Sequence, residues 1–390
     1  MRYLLIRNIR LPNLPPSQRP VSLLTCGGRV VGMGTDMQYP LTDTTNIDAD
    51  GCYVLPALID LCRVPPPGLD AGAIGNLNFE NAAAGVVSVM TVARDVDENI
   101  ADFKSIKAPL LNYAYHFPLR QLTEGRGKEL RHKMLHHGIA TAAVRFADDG
   151  KDDVSTFAPN VAVARALGLR VLYDFRGAGD SIERLAKLKC LAEILRADRA
   201  NMAYVVGVET QDELSVLEEL RDRCDVAAHI CYNPLSIAAE AAPRLRPEEI
   251  AGVLRREAWC SLGLASGISG SMRQAWPDTT REILFRNMLP LLCAMPLDSP
   301  LQLSELVEFA MRRPAAFVGL HPPLGEVAPG RSANLIVWNP DAADNFSVGV
   351  PAEVRLAGRV EYVIMNGDVV VGKKFVPEKV HGEHLYARIV

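Results

Sequence analysis

The chain has 390 residues, of which 48% are hydrophobic and 23% are charged, and its formal net charge is -4. This composition predicts a globular protein with a large core and a second, smaller domain, and it excludes the basic surface that nucleic-acid binding requires. No uncharged apolar run approaches the roughly 20 residues of a membrane span, and the first residues do not resemble a signal peptide, so we expect a cytoplasmic protein.

Both ends of the chain carry β-strand patterns. The first fifty residues contain three such runs, with Gly27-Gly28 as a hairpin turn between the last two. Similar runs lie near the C-terminus, where Asn366-Gly367 is a strong hairpin signal. Because neither group of strands can bury both its faces alone, we predict one small composite β-sandwich domain from residues 1–55 and 325–390.

Residues 56–324 are predicted to form a (β/α)₈ TIM barrel. Eight apolar, β-branched runs alternate with helical patterns such as 181–197 and 211–223. The alternative is an open, doubly wound sheet. It is less favoured, because the number of strand candidates reaches eight and no G-x-G-x-x-G follows the first strand. The strand candidates are 57–62, 86–92, 109–115, 141–147, 170–175, 202–208, 224–230 and 259–265.

The eight cysteines are scattered singly, with no C-x-x-C pair. We interpret them as reduced, buried side chains, because neither a disulfide framework nor a zinc motif fits their spacing.

The stretch from Asp48 to Gly68 carries the most specific motif. It predicts a short strand, a turn at Pro56, an apolar strand and a rigid corner of three prolines and a glycine. This stretch resembles D-A-x-G-x-x-V-x-P-G-x-I-D-x-H-x-H, the opening motif of the dihydroorotases in the amidohydrolase superfamily. The matching positions are Asp48, Gly51, Pro56, Ile59 and Asp60.

Three later segments extend the resemblance over nearly the whole chain. Residues 280–295, 303–320 and 325–342 resemble an E-x-x-L-P-L-L helix, an N-P-A-x-x-x-G-L helix end and the return into the β-domain of dihydroorotases. Several long motifs in the right order are more specific than any one of them. The resemblance therefore implies an amidohydrolase-type barrel with a composite β-domain.

The residues that perform the chemistry in this family are replaced here. Dihydroorotases bind two zinc ions at strand ends, where they activate a hydroxide. Cys62 and Val64 stand in place of the H-x-H pair, and Arg94 replaces a substrate-binding Asn. The corner is also shorter, so the Arg that grips the substrate carboxylate has no counterpart at Pro66.

The later strands repeat this pattern. Asp174 matches the histidine of strand 5, Gly207 matches that of strand 6, and Ala265 or Ser266 stands at the position of the catalytic Asp. In the segment FADDG (146–150), which resembles F-S-D-D-G of one dihydroorotase class, either Asp148 or Asp149 is the single remaining residue of a metal-ligand type. The positions of the former site are Cys62, Val64, Arg94, Asp148, Asp149, Asp174, Gly207 and Ala265.

Other interpretations of these residues remain open. Cys62, His229 and the three aspartates have the right types for an altered zinc site, although filling space and capping loops is the simpler role. His116 follows the third strand candidate, where barrel enzymes hold catalytic groups, yet a lone imidazole is more often structural. Gly267 and Gly270 suit either an anion-binding loop or a flexible loop.

The resemblance implies an inactive dihydroorotase homologue of pyrimidine biosynthesis, with no metal and no cofactor. Such chains serve in some bacteria as non-catalytic partners of aspartate transcarbamoylase in a dodecameric assembly. The sequence is also compatible with a homodimer. The alternatives are an altered-metal or metal-free hydrolase acting on a small cyclic amide, and a scaffold like the metal-less dihydroorotase relatives of animals.

Overall fold

A computed structural model describes the fold of most of the chain. The described residues are 2–15, 20–35, 37–39, 43–63, 78, 81–83, 85–92, 97, 111–146, 153–176, 178–198, 202–232, 244–264, 301–321, 323–342, 358–372, 382 and 386–387.

An eight-stranded parallel sheet forms the centre of the molecule. Its strands follow one another in chain order, without the reversal of order that a doubly wound sheet requires. Each strand coincides with one of the eight predicted runs to within three residues, and the sheet curls into a half-barrel. Closure of the ring between the first and last strands stays a prediction. The strands are β6 (Leu58–Arg63), β7 (Val86–Val92), β8 (Asn112–Pro118), β9 (Thr141–Arg145), β10 (Arg170–Asp174), β11 (Ala203–Val208), β12 (Val226–Tyr232) and β13 (Cys260–Leu264).

The strands bury both faces, which explains why their sequences lack strict alternation. Residues such as Val144, Tyr173 and Val205 belong to the large core between the sheet and its outer helices. Their neighbours Ala143 and Leu172 belong to a second apolar cluster on the concave face, together with Tyr204 and Ala227. The concave face is therefore apolar across the middle of the sheet.

Helices follow most strands, as the three- and four-residue spacing predicts. Two of them, at 181–198 and 211–221, match the sequence prediction to within two residues. The last helical run passes through a π-helical turn, Glu308–Arg312, and places Phe317 on the ring of Tyr204, with centroids 3.8 Å apart. The helices are α1 (Gly127–His137), α2 (Ala158–Ala166), α3 (Ser181–Asp198), α4 (Gln211–Arg221), α5 (Pro247–Arg256), α6 (Leu303–Val307) and α7 (Arg313–Val318).

Two four-stranded sheets are built from the two ends of the chain. One has the order β3-β2-β1-β4 and the other β17-β16-β15-β5. Both predicted hairpins are present, since Gly27-Gly28 joins β2 to β3 and Asn366-Gly367 joins β16 to β17. The strands are β1 (Tyr3–Ile9), β2 (Val21–Cys26), β3 (Arg29–Gly34), β4 (Thr44–Asp48), β5 (Tyr53–Pro56), β15 (Leu335–Asn339), β16 (Arg359–Met365) and β17 (Asp368–Val371), with a short pair of β14 (Leu320–His321) and β18 (Tyr386–Ala387).

The two small sheets share one apolar cluster, which includes Leu4, Leu23 and Ile364. The opposite face of the second sheet packs towards the half-barrel, because Ile336 and Met365 belong to the large core. The division of the chain at residues 55 and 325 stays a prediction. The C-terminal β-strand pattern continues at 373–376, which lies outside the described residues.

A buried set of asparagines joins the half-barrel to the second small sheet. Asn112 Nδ2, at the start of β8, donates to Asn366 Oδ1 at 3.1 Å, and Asn366 Nδ2 donates back to Asn112 Oδ1 at 2.8 Å. Asn334 Oδ1 accepts from the backbone of Asn366 at 2.8 Å.

Among the described helices, none combines the length and the apolar character that a membrane crossing requires.

Candidate functional site

A polar row crosses the concave face, one step nearer the carboxyl ends of the strands than the apolar row. The register pairs Arg145 with Asp174, Asp174 with Val206, Val206 with His229, and His229 with Ser261. Barrel enzymes carry their active sites at this end of the sheet. The row is therefore the candidate functional site.

Asp174 is the centre of this row, and Arg176 makes three hydrogen bonds to its carboxylate. Oδ1 accepts from the backbone N of Arg176 at 3.0 Å and from its Nε at 2.8 Å, while Oδ2 accepts from its Nη2 at 3.0 Å. Asp174 has no exposed surface and Arg176 is 7% exposed. The guanidinium therefore neutralises the carboxylate out of contact with bulk water.

Burial alone would raise the pKa of Asp174, but the guanidinium of Arg176 outweighs it and lowers the pKa below its ordinary value. Arg145 lowers that pKa further, although its Nε lies 3.9 Å from Oδ2 of Asp174. Asp174 is consequently ionised at neutral pH and the site carries two guanidinium groups for one carboxylate.

Gly207 lies directly beside this pair, at a bulge of β11. Its φ of +96° is a conformation that side-chain-bearing residues avoid, and a Cβ there would lie 2.8 Å from the backbone N of Arg176. The positions that resemble the strand 5 and strand 6 histidines thus meet in space. One holds a carboxylate engaged by Arg176, and the other has no room for a side chain.

A second polar cluster occupies the far end of the row. The hydroxyl of Tyr204 lies 2.8 Å from Nδ1 of His229 and 2.6 Å from Oγ of Ser261. Oγ of Ser261 is also 2.8 Å from Nδ1 of His229, and it donates to the carbonyl of Ala228 at 3.2 Å. The imidazole fits because residue 263 is glycine, since a Cβ there would lie 1.9 Å from Nε2 of His229.

The His229 ring is neutral at physiological pH. Burial within the half-barrel is the main cause, and the charge of Arg176 adds to it, so that the pKa of His229 is lowered to about 3. The ring nevertheless keeps some exposed surface, unlike Tyr204 and Ser261. Burial likewise raises the pKa of the neighbouring Cys231 thiol to about 12.

A partly buried charge network flanks the site after β11. Arg184 donates from Nε to Oε1 of Glu213 at 2.5 Å and lies 3.3 Å from Oε2 of Glu209. Arg244 approaches the same Glu209 oxygen at 3.3 Å. Thr210 and Glu213 form a capping box that begins α4. These charges compensate one another and fix the loop at the end of β11.

His116 is a structural residue in this fold. The sequence places it after the third strand candidate, but β8 continues through it to Pro118, because Phe117 and Pro118 pair with β9. The ring is fully buried, with Nδ1 2.8 Å from Oγ1 of Thr141 and Nε2 2.7 Å from the carbonyl of Leu61. Burial lowers its pKa to about 4.

Of the predicted site positions, the structure describes the side chains at two, Asp174 and Gly207, and brings them together. Cys62 lies in β6. The remaining positions lie outside the described residues. They are Val64, Pro66, Arg94, Asp148, Asp149, Ala265, Ser266, Gly267 and Gly270. Within the described part of the chain, no three His, Cys, Asp or Glu side chains are close enough together to hold a metal ion.

Sequence reasoning missed Arg176, Arg145, Tyr204 and Ser261. A signal for Arg176 was present, because an arginine two residues after a strand-ending aspartate can fold back on its carboxylate. No comparable signal marks Tyr204 or Ser261, whose contact depends on the register of three strands.

Comparisons with known proteins agree with the fold. The model of a family described as "Amidohydrolase family" matches residues 173–370. A dihydroorotase of Syntrophotalea carbinolica is 24% identical, over 87% of this chain and 92% of its own length. The crystal structure of dihydropyrimidinase from Brevibacillus agri superimposes with a TM-score of 0.76 at 18% identity, covering 99% of this chain and 100% of that one. The L-hydantoinase of Arthrobacter aurescens gives 0.76 at 17% identity, with the same coverage.

Proposed function

The chain belongs to the amidohydrolase family, and from that membership we propose that it is a catalytically inactive dihydroorotase homologue that acts as a structural partner of aspartate transcarbamoylase in pyrimidine biosynthesis. The similarity to a dihydroorotase over most of both chains supports the assignment within the family. The proposal has two parts, loss of catalysis and gain of a partner, which rest on different observations.

The ion pair of Asp174 with Arg176 carries the first part. In the resemblance to dihydroorotases, Asp174 stands at a metal-ligand position, and here Arg176 donates three hydrogen bonds to it. A metal ion would have to displace a buried guanidinium from the carboxylate of Asp174. Because stripping one partner from a buried ion pair costs about 3–5 kcal/mol, this exchange is strongly unfavourable.

Gly207 supports the same conclusion from the backbone. Its φ of +96° and the 2.8 Å separation of a Cβ from the Arg176 backbone oppose any ligating side chain there. Hydrolysis of a cyclic amide needs an activated water, and metal-free water has a pKa far above neutrality. With Cys62, Val64 and Ala265 at further ligand positions, one altered residue could not restore the site.

The second part rests on what the chain has kept. The eight parallel strands, the two small sheets and their apolar clusters are all present, although the ligand positions have changed. Most core substitutions destabilise by about 0.5–3 kcal/mol against a margin of about 5–15, so an intact core supports a role that depends on shape.

An altered-metal or metal-free amidohydrolase acting on a small cyclic amide is the second candidate. The polar row favours it, because Arg145, Asp174 and His229 lie at the end of the sheet where barrel enzymes hold substrates. A chain with such an activity would turn over a cyclic amide in isolation, whereas the scaffold would not.

Co-expression with the host's aspartate transcarbamoylase tests the proposal. We expect the two chains to elute together and light scattering to give a mass well above that of the transcarbamoylase alone. A stable complex should bury on the order of 1,200–2,000 Å² of surface per contact. The same transcarbamoylase expressed without this chain is the control. Equal mass and activity in both preparations would contradict the partnership.

A further inference from the structure

Charge along the polar row is unbalanced. Arg145 and Arg176 face the single carboxylate of Asp174, and His229 at the other end of the row is neutral. The nearby network of Arg184, Arg244, Glu209 and Glu213 balances itself. The described residues of the row therefore carry an excess of one positive charge.

Arg145 holds this excess charge in an accessible form. Arg176 places three hydrogen bonds on Asp174, so Arg145 reaches that carboxylate only at 3.9 Å, too long for a hydrogen bond. Its side chain is 30% exposed, in contrast to the buried Arg176. A guanidinium with five donors and no close acceptor among the described residues is suited to bind a carboxylate through two parallel hydrogen bonds.

His229 offers the opposite kind of group. Four contacts link Tyr204, Ser261, Nδ1 of His229 and the carbonyl of Ala228. With Nδ1 protonated, three protons serve all four contacts. Tyr204 then donates to Ser261, Ser261 to Ala228, and Nδ1 is shared between the two hydroxyl oxygens. In this tautomer of the neutral ring, Nε2 is an unprotonated acceptor.

Nε2 is also the part of the ring that is left available. None of the described residues bonds it, and His229 keeps some exposed surface although Gly263 packs against Nε2 on one side. A hydrogen-bond donor of a ligand, such as an amide N–H, can therefore reach Nε2. A cationic ligand would be repelled there by the nearby positive charge of Arg176.

From this arrangement we propose that the polar row binds a small monocarboxylate that also carries an N–H or O–H donor, with the carboxylate on Arg145 and the donor on Nε2 of His229. Three strand spacings of about 4.8 Å separate the two residues along the curled sheet, a gap that their side chains and a small molecule can span. This inference concerns the isolated chain and does not depend on a partner protein.

Two isosteric probes test it. N-acetylglycine carries a carboxylate and an amide N–H, and 4-oxopentanoate has a methylene in place of that N–H. We expect the wild-type chain to bind N-acetylglycine with a dissociation constant on the order of 1–10 mM, as befits so small a ligand. The oxo acid should bind about fivefold more weakly, since one hydrogen bond is lost. Binding is followed by ligand-observed NMR, so that the same readout serves the wild-type chain and every variant.

Variants separate the two contacts. Arg145→Met should weaken both probes at least tenfold, and Arg145→Lys should weaken them less, because lysine keeps the charge and loses the planar fork. His229→Phe should abolish the preference for N-acetylglycine while leaving 4-oxopentanoate bound. Arg131→Met, on the exposed face of α1, is the matched control and should change neither probe.

Three results would overturn the proposal. Equal affinity of the wild type for the two probes would remove the role of His229. Undiminished binding by a folded Arg145→Met variant would place the anion elsewhere. Absence of any signal change at 100 mM probe would exclude the site altogether, whether or not the chain assembles with a transcarbamoylase.

Discussion

Arg176 donates three hydrogen bonds to the carboxylate of Asp174, two residues before it, and supplies a positive charge next to a position that resembles a metal-ligand position of the dihydroorotases. The cation in this row is therefore part of the chain, and it cannot be removed by a chelator. Chelation should leave the unfolding midpoint of the protein unchanged, unlike that of a protein stabilised by a structural metal.

The ion pair predicts a marked asymmetry between single and double substitutions. Arg176→Met should lower the free energy of unfolding by about 3–5 kcal/mol, because it leaves the buried carboxylate of Asp174 largely uncompensated. Arg176→Met with Asp174→Leu should be more stable than that single variant, since no charge remains to be buried. Urea unfolding at constant slope measures both. A double variant less stable than Arg176→Met would contradict the argument.

The eight strands could be predicted because each is a continuous apolar run bounded by turn signals. Asp174 and Gly207 were predicted from motif matches as positions of one site, and the structure places them side by side. The polar row could not, since it depends on which residues of five strands share a register and a face. His116 was misplaced at a strand end for the same reason: pairing with β9 extends β8 past the apolar run.

Gly207 predicts that this position rejects any side chain. Gly207→Ala should destabilise the chain by about 2–4 kcal/mol, because a positive φ and a contact 2.8 Å from the Arg176 backbone N act together. Gly168→Ala is the matched control, with a φ of +72° and nothing within 4 Å of its Cβ, so its cost should be only about 1–2 kcal/mol. Similar losses in thermal unfolding for the two variants would show that crowding at 207 is unimportant.

Gly263 is predicted to be required by the ring of His229. Gly263→Ala should cost about 1–3 kcal/mol, because its Cβ would lie 1.9 Å from Nε2 and displace the imidazole from Tyr204 and Ser261. The same substitution in a His229→Ala background should cost less than about 1 kcal/mol. Gly125→Ala, where a Cβ meets nothing within 4 Å, controls for the added methyl group. An equal cost in both backgrounds would disprove the contact.

His116 predicts a loss of stability in mild acid. Its pKa is about 4 in the folded chain and about 6.5 when unfolded, so the unfolded chain binds the proton first as the pH falls. Stability is therefore full above pH 6.5 and declines towards pH 4, in total by on the order of 3 kcal/mol. His229 adds a decline of the same sign, because its folded pKa is about 3.

His116→Gln should accordingly flatten the dependence of the unfolding free energy on pH between 5 and 7, while lowering its value at pH 7.5. Glutamine does not titrate, so one of the two buried histidine contributions disappears. His132→Gln, on the exposed surface of α1, is the control and should leave the slope unchanged. A slope for His116→Gln equal to that of the wild type would mean that the buried ring is not the source of acid sensitivity.

Restoring the first motif alone should not restore chemistry. We expect the wild-type chain and the variant with Cys62→His and Val64→His to contain less than stoichiometric zinc after dialysis and to show no turnover of dihydroorotate. Two histidines cannot complete a centre whose strand 5 position is held by Arg176 and whose strand 6 position is Gly207. Metal activation of water is worth several kcal/mol of transition-state stabilisation, which no described group in the row replaces.

Elemental analysis measures the zinc content, and a dihydroorotate assay with an active dihydroorotase as positive control measures turnover. One zinc per chain, or measurable ring opening, would show that the ligand positions on β10 and β11 are wrongly assigned.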